Sequence, residues 1–247
     1  MEEWFKDWFD ADYADLYAHR DATEAATAVA TLLRAAPGFS EGPVLDLGCG
    51  TGRHLAELRK VNAQAFGLDL STHLLGLAPA PLRGWLLQGD MRRLPVRAGT
   101  LSGVCLWFTP FGYFSDAENR SLLAQLGRLL KVGGMLLLDF MNAEHLKAHL
   151  VKEDVLERNG LRVLSRRSLE GGRIVKRMTI TRPGTAAPSR DALESVRLYE
   201  PSELVAMTGA CGQELVRELG DYGGSGFSGT QSPRWIGLFK QKSIADR

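Results

Sequence analysis

Residues 44–58 read "VLDLGCGTGRHLAEL", and this stretch decides the fold. A short apolar run carries one acid, Asp46. Three glycines follow at alternate positions, Gly48, Gly50 and Gly52, and apolar residues then recur at helical spacing. The pattern predicts a strand, a tight turn and a helix. Because glycine has no Cβ, the backbone of such a turn can lie directly against a ligand, and the start of the helix favours an anionic group. We therefore expect a ligand site here, with a turn that binds nothing as the plainer alternative.

The spacing of the glycines distinguishes two kinds of ligand. A dinucleotide fingerprint, G-x-G-x-x-G, requires a third glycine three positions after Gly50, where this chain has Arg53. The third glycine stands one position earlier, at Gly52, and gives the G-x-G-x-G spacing of S-adenosylmethionine sites. The spacing therefore favours S-adenosylmethionine over a nicotinamide dinucleotide.

Acidic residues also end the second and third predicted strands. Asp69 ends "AQAFGLDL" and Asp90 ends "GWLLQGD", so that with Asp46 they share the edge where open α/β sheets bind ligands. The Asp69 carboxylate can accept hydrogen bonds from both ribose hydroxyls of a nucleoside. Asp90 can accept one from an adenine amino group, beside a backbone donor and an apolar contact from Met91. A single acid at such a position could be a helix cap, but three together indicate a bound nucleoside.

The pattern along the chain predicts an α/β fold. Strand-like and helix-like stretches alternate after residue 40, and the strands are nearly continuous apolar runs, as in a parallel sheet buried on both faces. A helix is predicted over "DAENRSLLAQLGRLLKVGG", followed by a fifth strand, "MLLLDFMN". The last two strands, "QELVRELGDY" and "RWIGLFKQ", form an antiparallel pair. We predict a doubly wound, mostly parallel seven-stranded sheet with an N-terminal helical cap and an antiparallel β insert.

Four segments follow from these patterns. Residues 1–38 are amphipathic and form the helical cap, and residues 39–150 form the ligand-binding core. Residues 151–199 form the antiparallel insert on the substrate side, with a hairpin turning at Glu-Gly-Gly and a third strand near "ALESVRLY". Residues 200–247 supply a helix and the strand pair that completes the sheet.

Composition narrows the partners and the compartment. The 247-residue chain has a formal net charge of +1, which gives no electrostatic reason to expect nucleic acid or an anionic membrane. Its three widely separated cysteines suggest neither a metal site nor a disulfide framework, and this favours the cytoplasm. No secretion signal and no membrane-length apolar window are present. We expect a cytoplasmic monomer or homodimer.

Four motifs of the sequence resemble those of a known family. "VLDLGCGTGRH", "GLDLS", "GDMRRLP" and "RLLKVGGMLLLDF" match, in order and spacing, the motifs of class I S-adenosylmethionine-dependent methyltransferases over about residues 40–142. A looser likeness, in "WFKDWFDADYADLYAHRD" and "GDYGGSGFSGTQSPRWI", is to a bacterial subgroup of small-molecule-type methyltransferases that largely lack assigned substrates. The resemblance implies a Rossmann-like fold, S-adenosylmethionine as cofactor, S-adenosylhomocysteine as product and a small-molecule acceptor. "GLAPAPLRG" departs from the family by being shorter and richer in proline than its second helix.

The resemblance also implies roles for matching residues. Asp46 would organise hydrogen bonds below the methionine moiety, and Leu70 would flank the adenine. The stretch at the end of strand four, Leu106, Trp107 and Phe108, would run beside the methionine. Arg20 could pair with the cofactor carboxylate. The predicted cofactor site consists of Tyr17, Arg20, Asp46, Gly48, Cys49, Gly50, Asp69, Leu70, Asp90, Met91, Leu106 and Phe108.

The chemistry requires little catalytic apparatus. A sulfonium is an activated leaving group, so the enzyme aligns a nucleophile behind the methyl carbon and excludes water. We predict His19 as a general base and Tyr113, in the aromatic stretch "FTPFGYF", as an acceptor-side residue. Core packing is the alternative for the aromatic stretch. Asp139, Asn142 and Tyr222 are further candidates for acceptor contact.

Two other functions fit the same motifs. A methyltransferase for RNA or protein would show a basic groove, and many base N-methyltransferases carry "NPPY" or "DPPY" after strand four, where this chain has "WFTPFGYF". A regulatory protein that binds the cofactor without turnover would share the glycine turn and the three acids. A small-molecule methyltransferase remains the favoured hypothesis.

Overall fold

The computed structural model describes residues 3–19 and 22–243. Its helices are α1 (Phe5–Trp8), α2 (Ala11–Leu16), α3 (Ala22–Ala35), α4 (Arg53–Val61), α5 (Thr72–Gly76), α6 (Asp116–Leu129), α7 (Ala143–Ala148) and α8 (Pro201–Gly209), with 3₁₀ helices at Pro37–Ser40 and Ala80–Trp85. Its strands are β1 (Val44–Leu47), β2 (Ala65–Asp69), β3 (Leu86–Gln88), β4 (Leu101–Leu106), β5 (Leu130–Met141), β6 (Glu153–Arg158), β7 (Leu161–Glu170), β8 (Arg173–Thr181), β9 (Arg190–Arg197), β10 (Gln213–Leu219) and β11 (Arg234–Gln241).

The predicted main sheet is confirmed. Seven strands run in the order β10-β11-β5-β4-β1-β2-β3. The strands β1 to β5 pair in parallel, whereas β11 is antiparallel to both β5 and β10. Every residue of β1 and β4 is buried, as expected for strands covered on both faces. The carboxyl ends of β1, β2 and β4 therefore meet at one edge.

The boundary between α6 and β5 differs from the prediction. The predicted helix extends to Gly133-Gly134, but α6 ends at Leu129 and β5 begins at Leu130. The β4 pairing shifts register here, from Leu101 opposite Leu130 to Gly103 opposite Met135. A Cβ on Gly134 would lie 3.0 Å from the Leu101 carbonyl oxygen, so the glycines serve an irregular strand entry instead of a helix end.

The insert is a second, four-stranded antiparallel sheet in the order β6-β7-β8-β9. The predicted hairpin is β7 and β8, and the predicted third strand is β9. The strand β6 was not predicted, because its short sequence "EDVLER" is mostly charged, although alternate residues are half-buried.

The N-terminal helices divide between the two sheets. Trp4 and Trp8 of the first turns are buried; their indole nitrogens donate to the Ser195 carbonyl at 3.1 Å and to Glu194 Oε1 at 2.7 Å, both on β9. The helix α3 packs instead against α4 of the core. None of the helices within residues 3–19 and 22–243 is both long and apolar enough to cross a bilayer.

Candidate functional site

A cavity of about 340 Å³ lies at the carboxyl edge of the main sheet. The glycine turn after β1, the ends of β2 and β3 and the loop after β4 form one side, and α1, α2 and the residues after α2 close the other. Many of the predicted site residues line it, namely Tyr17, Gly48, Cys49, Gly50, Asp69, Leu70, Asp90, Met91, Phe108 and Tyr113. Its volume lies in the range of small-molecule pockets.

Three of the predicted residues that the structure describes do not join this lining. Asp46 and Leu106 are buried within their strands behind it. His19 is exposed, and its Nδ1 contacts Arg158 of the insert. Arg20 lies outside the described residues.

The glycine turn is fixed by backbone hydrogen bonds to β2. The amides of Gly48 and Cys49 both donate to the Leu68 carbonyl, at 2.8 and 3.2 Å. Gly48 has a φ of 73°, and a Cβ there would lie 3.0 Å from Pro110 Cβ. Only glycine therefore allows the turn to approach the loop after β4.

Asp69 links the turn to the end of β2. Its Oδ2 accepts from the Gly50 amide and its Oδ1 from the Ser71 amide, each at 2.8 Å. Burial raises the pKa of Asp69 above its ordinary value. Each carboxylate oxygen retains a further acceptor position, which suits a pair of ligand hydroxyls.

Asp46 lies one layer deeper. It is 1% exposed, and its Oδ2 has no hydrogen-bond partner. Burial, followed by the nearby charge of Asp69, raises the pKa of Asp46 to about 7. The carboxyl group lies beneath the start of α4, where the Leu55 amide is its backbone donor.

Asp90 is held by a neighbour that the sequence did not reveal as a partner. Arg92 donates to it from Nη2 at 2.6 Å and from Nε at 3.0 and 3.1 Å. Burial opposes ionisation, but the bonds from Arg92 lower the pKa of Asp90 below its ordinary value. Asp90 is thus an ionised acceptor already shared with an arginine.

Unpartnered polar atoms gather at the start of α4. His54 stacks on Trp107 with ring centroids 4.7 Å apart and an interplanar angle of 8°. His54 Nε2, Trp107 Nε1 and Arg53 Nη1 are buried without a hydrogen-bond partner, although Arg53 Nη1 lies 3.5 Å from Glu24 Oε1 as an ion pair. Burial, and then the charge of Arg53, lowers the pKa of His54 well below its ordinary value.

All three of these side chains line the cavity. Buried polar atoms without partners are costly, and the Trp107 and Arg53 nitrogens are donors, so the group fits a ligand that brings acceptor oxygens, such as a carboxylate. Sequence reasoning singled out Trp107 but missed Arg53 and His54, although "GTGRH" places these two residues in the first turn of the helix, where an anion is favoured.

The aromatic stretch after β4 serves both of the roles considered for it. Tyr113 and Phe114 line the cavity, and Tyr113 packs against Trp4 and Phe9 with centroids 4.9 and 6.0 Å away. Phe111 is fully buried among core rings. The stretch is therefore part core and part cavity wall.

The other candidates for acceptor contact, Asp139, Asn142 and Tyr222, bond to other parts of the protein. Asn142 caps α7 through the Glu144 amide at 3.1 Å and donates to the Ser232 carbonyl at 2.7 Å. Asp139 is fully buried and bonds to Arg234, and Tyr222 donates its hydroxyl to Asp139. None of the three predicted residues lines the cavity.

The sheet order with β11 reversed, the glycine turn and the strand-end acids are features of class I S-adenosylmethionine-dependent methyltransferases. A family model described as a methyltransferase domain matches residues 44–134. The chain is such an enzyme, and S-adenosylmethionine, not a nicotinamide dinucleotide, is its cofactor. The unpartnered donors and the free acceptor positions of Asp69 fit this cofactor.

Similar proteins extend the likeness beyond the core. The dTDP-3-amino-3,4,6-trideoxy-α-D-glucopyranose N,N-dimethyltransferase of Streptomyces venezuelae is 28% identical over 218 residues, or 83% of this chain and 91% of that protein. A solved S-adenosylmethionine-bound amino pentose methyltransferase from Micromonospora echinaspora is 25% identical, with a TM-score of 0.65 over 95% of this chain and 98% of that one. An S-adenosylmethionine-dependent methyltransferase from Clostridium acetobutylicum shares the fold, with a TM-score of 0.76 at 16% identity over 94% of this chain and 97% of that one.

Proposed function

We propose that this enzyme transfers a methyl group from S-adenosylmethionine to the amine of a small amino sugar by direct displacement. One observation carries the proposal. The likeness to the Streptomyces venezuelae dimethyltransferase covers 83% of the chain, so it reaches beyond the cofactor-binding motifs into the segments that surround the acceptor side. The alternatives of RNA, protein or purely regulatory function have no comparable support.

Each part of the cofactor is matched to cavity residues whose hydrogen-bonding groups complement it. Asp69 accepts from the ribose hydroxyls, because both of its oxygens keep acceptor capacity facing the cavity. Leu70, Asp90 and Met91 surround the adenine. Arg53, with its neighbours His54 and Trp107, binds the methionine carboxylate.

The remaining predicted cofactor residues shape the cavity. Gly48, Cys49 and Gly50 form the floor, and Phe108 forms a wall. Asp46 and Leu106 act from behind this lining. Tyr17 closes the cap side, and Arg20 remains a proposed carboxylate partner from the same segment.

The enzyme works mainly by alignment. When bound, S-adenosylmethionine supplies a methyl group on a sulfonium leaving group. Tyr113 and Phe114 exclude water from the place where the acceptor amine arrives, and alignment alone can supply roughly 7–11 kcal/mol of barrier reduction. An amine must arrive unprotonated; His19 as its base stays a prediction, since the side chain lies outside the lining.

A second cavity, of about 460 Å³, suits the remainder of the acceptor. It lies between α7 and the insert and is lined by Lys176 and Glu194. Both contact Tyr17, whose hydroxyl receives a bond from Lys176 at 2.9 Å and donates to Glu194 at 3.1 Å. Because Tyr17 lines the cofactor cavity, these three bonded side chains connect the walls of the two cavities. Alternating charges on the wall suit a ligand rich in hydroxyl groups.

We also propose a cytoplasmic enzyme, monomeric or homodimeric, that acts without nucleic acid or membrane. The net charge of +1 supports the absence of nucleic-acid and membrane partners, and the free cysteines at positions 49, 105 and 211 support the cytoplasm.

The test offers the purified enzyme labelled S-adenosylmethionine with dTDP-3-amino-3,4,6-trideoxy-α-D-glucopyranose. The matched control is the same sugar nucleotide with a hydroxyl group at C3. We expect N-methylated product from the amine and none from the alcohol, read by mass spectrometry. Methylation of RNA or protein instead, or binding of S-adenosylhomocysteine with no product from any amino sugar offered, would overturn the proposal.

A further inference from the structure

The loop after β4 has an unusual backbone. Phe108 and Thr109 have φ values of 62° and 66°, consecutive left-handed conformations in residues other than glycine. Left-handed residues that carry a Cβ are strained, and they persist only where the surroundings enforce them. The same loop lines the cofactor cavity through Trp107, Phe108 and Pro110.

Three distant side chains enforce this conformation. Asp139 Oδ2 accepts from the Phe108 amide at 2.6 Å, and the Asp139 carbonyl accepts from the Thr109 amide at 3.0 Å. Arg234 Nε donates to Asp139 Oδ1 at 2.5 Å, and its Nη2 donates to Thr109 Oγ1 at 2.9 Å. Tyr222 donates its hydroxyl to Asp139 Oδ2.

The Phe108 ring, which lines the cavity, also packs against charged side chains. The Arg234 guanidinium lies 4.7 Å from the centroid of the Phe108 ring, and the Arg53 guanidinium lies 5.3 Å from it. Asp139 is fully buried, so its carboxylate can bind only what the fold presents to it. Both carboxylate oxygens of Asp139 accept bonds from the loop, Tyr222 or Arg234, so its role is to hold the loop and not to touch the acceptor.

We propose that Asp139, Arg234 and Tyr222 are positioning residues that hold Phe108 and Thr109 in their left-handed conformation against the cofactor. Their contribution reaches the reaction through the loop. Asp139 and Arg234 form a charge pair across β5 and β11, so the reversed strand of the sheet helps to shape the methionine end of the cavity. The inference rests on S-adenosylmethionine being the cofactor, which wild-type binding tests separately.

The experiment pairs Asp139→Asn with Thr109→Gly, because glycine adopts a left-handed backbone without strain. Calorimetry gives the affinity for S-adenosylhomocysteine, and scanning fluorimetry gives the unfolding temperature. We expect Asp139→Asn to weaken binding about tenfold, and Thr109→Gly to stay within about threefold of wild type. The double variant should return to within about threefold of Thr109→Gly, since the two changes act on one loop.

If Asp139 only stabilised the fold, Asp139→Asn would lower the unfolding temperature, and Thr109→Gly would not restore the affinity for S-adenosylhomocysteine. The inference is overturned if folded Asp139→Asn binds like wild type, or if the double variant binds no better than Asp139→Asn. If wild type binds no S-adenosylhomocysteine, the cofactor assignment fails first, and this inference fails with it.

Asp139→Asn removes the buried counter-charge of Arg234 and could prevent folding. In that case Tyr222→Phe, which removes only one bond to Asp139, tests the inference instead. Its control is Tyr199→Phe, which removes a hydroxyl that donates to Asp116 at 2.7 Å, outside the loop. We expect a loss of affinity of about threefold for Tyr222→Phe and none for Tyr199→Phe. Equal affinities in the two folded variants would overturn the inference.

Discussion

The loops that follow β1 and β4 both line the cofactor cavity, but they are held in different ways. The first loop uses glycines at its left-handed positions, and its backbone bonds go to Leu68 and Asp69, within the next strand. The second uses Phe108 and Thr109 at left-handed positions. Its bonds come from β5, β8, β9 and β11, which lie far away in sequence.

Arg173 of β8 shows this dependence most directly. Its guanidinium donates to three consecutive carbonyls of the second loop, those of Gly112, Tyr113 and Phe114, at 2.9 to 3.1 Å. It also donates to the Ser195 carbonyl at 2.8 Å. A single arginine therefore joins the insert to the cavity wall. Residues close in sequence hold the first loop, whereas the insert and the C-terminal strands help to hold the second, which contains the proposed acceptor wall.

The largest expected effect on cofactor affinity comes from substituting Asp69, which holds the first loop. Asp69→Ala removes the acceptors proposed for both ribose hydroxyls, and hydrogen bonds to charged groups contribute about 1.5–3 kcal/mol each. We expect S-adenosylhomocysteine affinity to fall about a hundredfold, and thermal stabilisation by that ligand to disappear, while the unliganded fold is retained. Asp15→Ala, at an exposed position on α2, is the control. An unchanged ligand-induced shift in Asp69→Ala would contradict the assigned ribose contact.

That side of the cavity could be predicted because its information is local. The glycine spacing and the acids at 46, 69 and 90 lie within or beside the strands that position them, so a pattern along the chain also describes neighbours in space. The donors at the start of α4 escaped because a histidine and an arginine next to a glycine turn resemble ordinary helix residues. Their burial becomes evident only once Trp107 stacks on His54.

The acceptor side could not be predicted to the same depth. The antiparallel hairpin was recognisable from its alternation, but nothing in "EGGRIVKR" indicates that Arg173 would reach three carbonyls of the loop after β4. Likewise, Asp139 was predicted to contact the acceptor because acids at strand ends often bind ligands. In the fold its bonds go to the loop and to Arg234, since β11 inserts next to β5.

The next largest effect should come from Arg173→Met, which tests whether the insert holds the acceptor wall. Loss of this half-buried arginine leaves several carbonyls without their donor, and we expect the free energy of unfolding to fall by about 2–3 kcal/mol. S-adenosylhomocysteine affinity should change less than about threefold, because the glycine turn keeps its own bonds. Methyl transfer should fall more than cofactor affinity does.

Arg166→Met is the matched control on the same sheet, since its partner Glu153 is an exposed residue 2.7 Å away. An exposed ion pair contributes at most about 1 kcal/mol. If Arg173→Met proved as mild in chemical denaturation as Arg166→Met, the insert would not be an energetic part of the cavity wall.

A pH-dependent effect is expected at Asp46, behind the glycine turn. Its folded-state pKa is raised to about 7, so between about pH 4 and 7 the folded protein keeps a proton that the unfolded chain has lost. Stability from this group is therefore present at the acidic end and is lost as pH rises toward 7. We expect Asp46→Asn to flatten the slope of unfolding free energy against pH by about 1 kcal/mol per pH unit. Parallel slopes in the variant and wild type, with Asp15→Asn as control, would show that Asp46 ionises normally.

The smallest effect should appear at Gly112, where the second loop meets β9. Gly112 has a φ of 91°, and a Cβ there would lie 3.0 Å from the Arg197 carbonyl oxygen. Gly99 is also left-handed, with a φ of 71°, but a Cβ there would meet nothing within 4 Å. Both alanine variants carry backbone strain of about 1 kcal/mol, and only Gly112→Ala adds a clash with backbone. We expect Gly112→Ala to be about 1 kcal/mol less stable than Gly99→Ala in denaturant unfolding. Equal losses of stability in the two variants would mean that the backbone around Gly112 and Arg197 shifts easily to accept a Cβ. The contrast between the two loops would then depend on Asp139 and Arg173 alone.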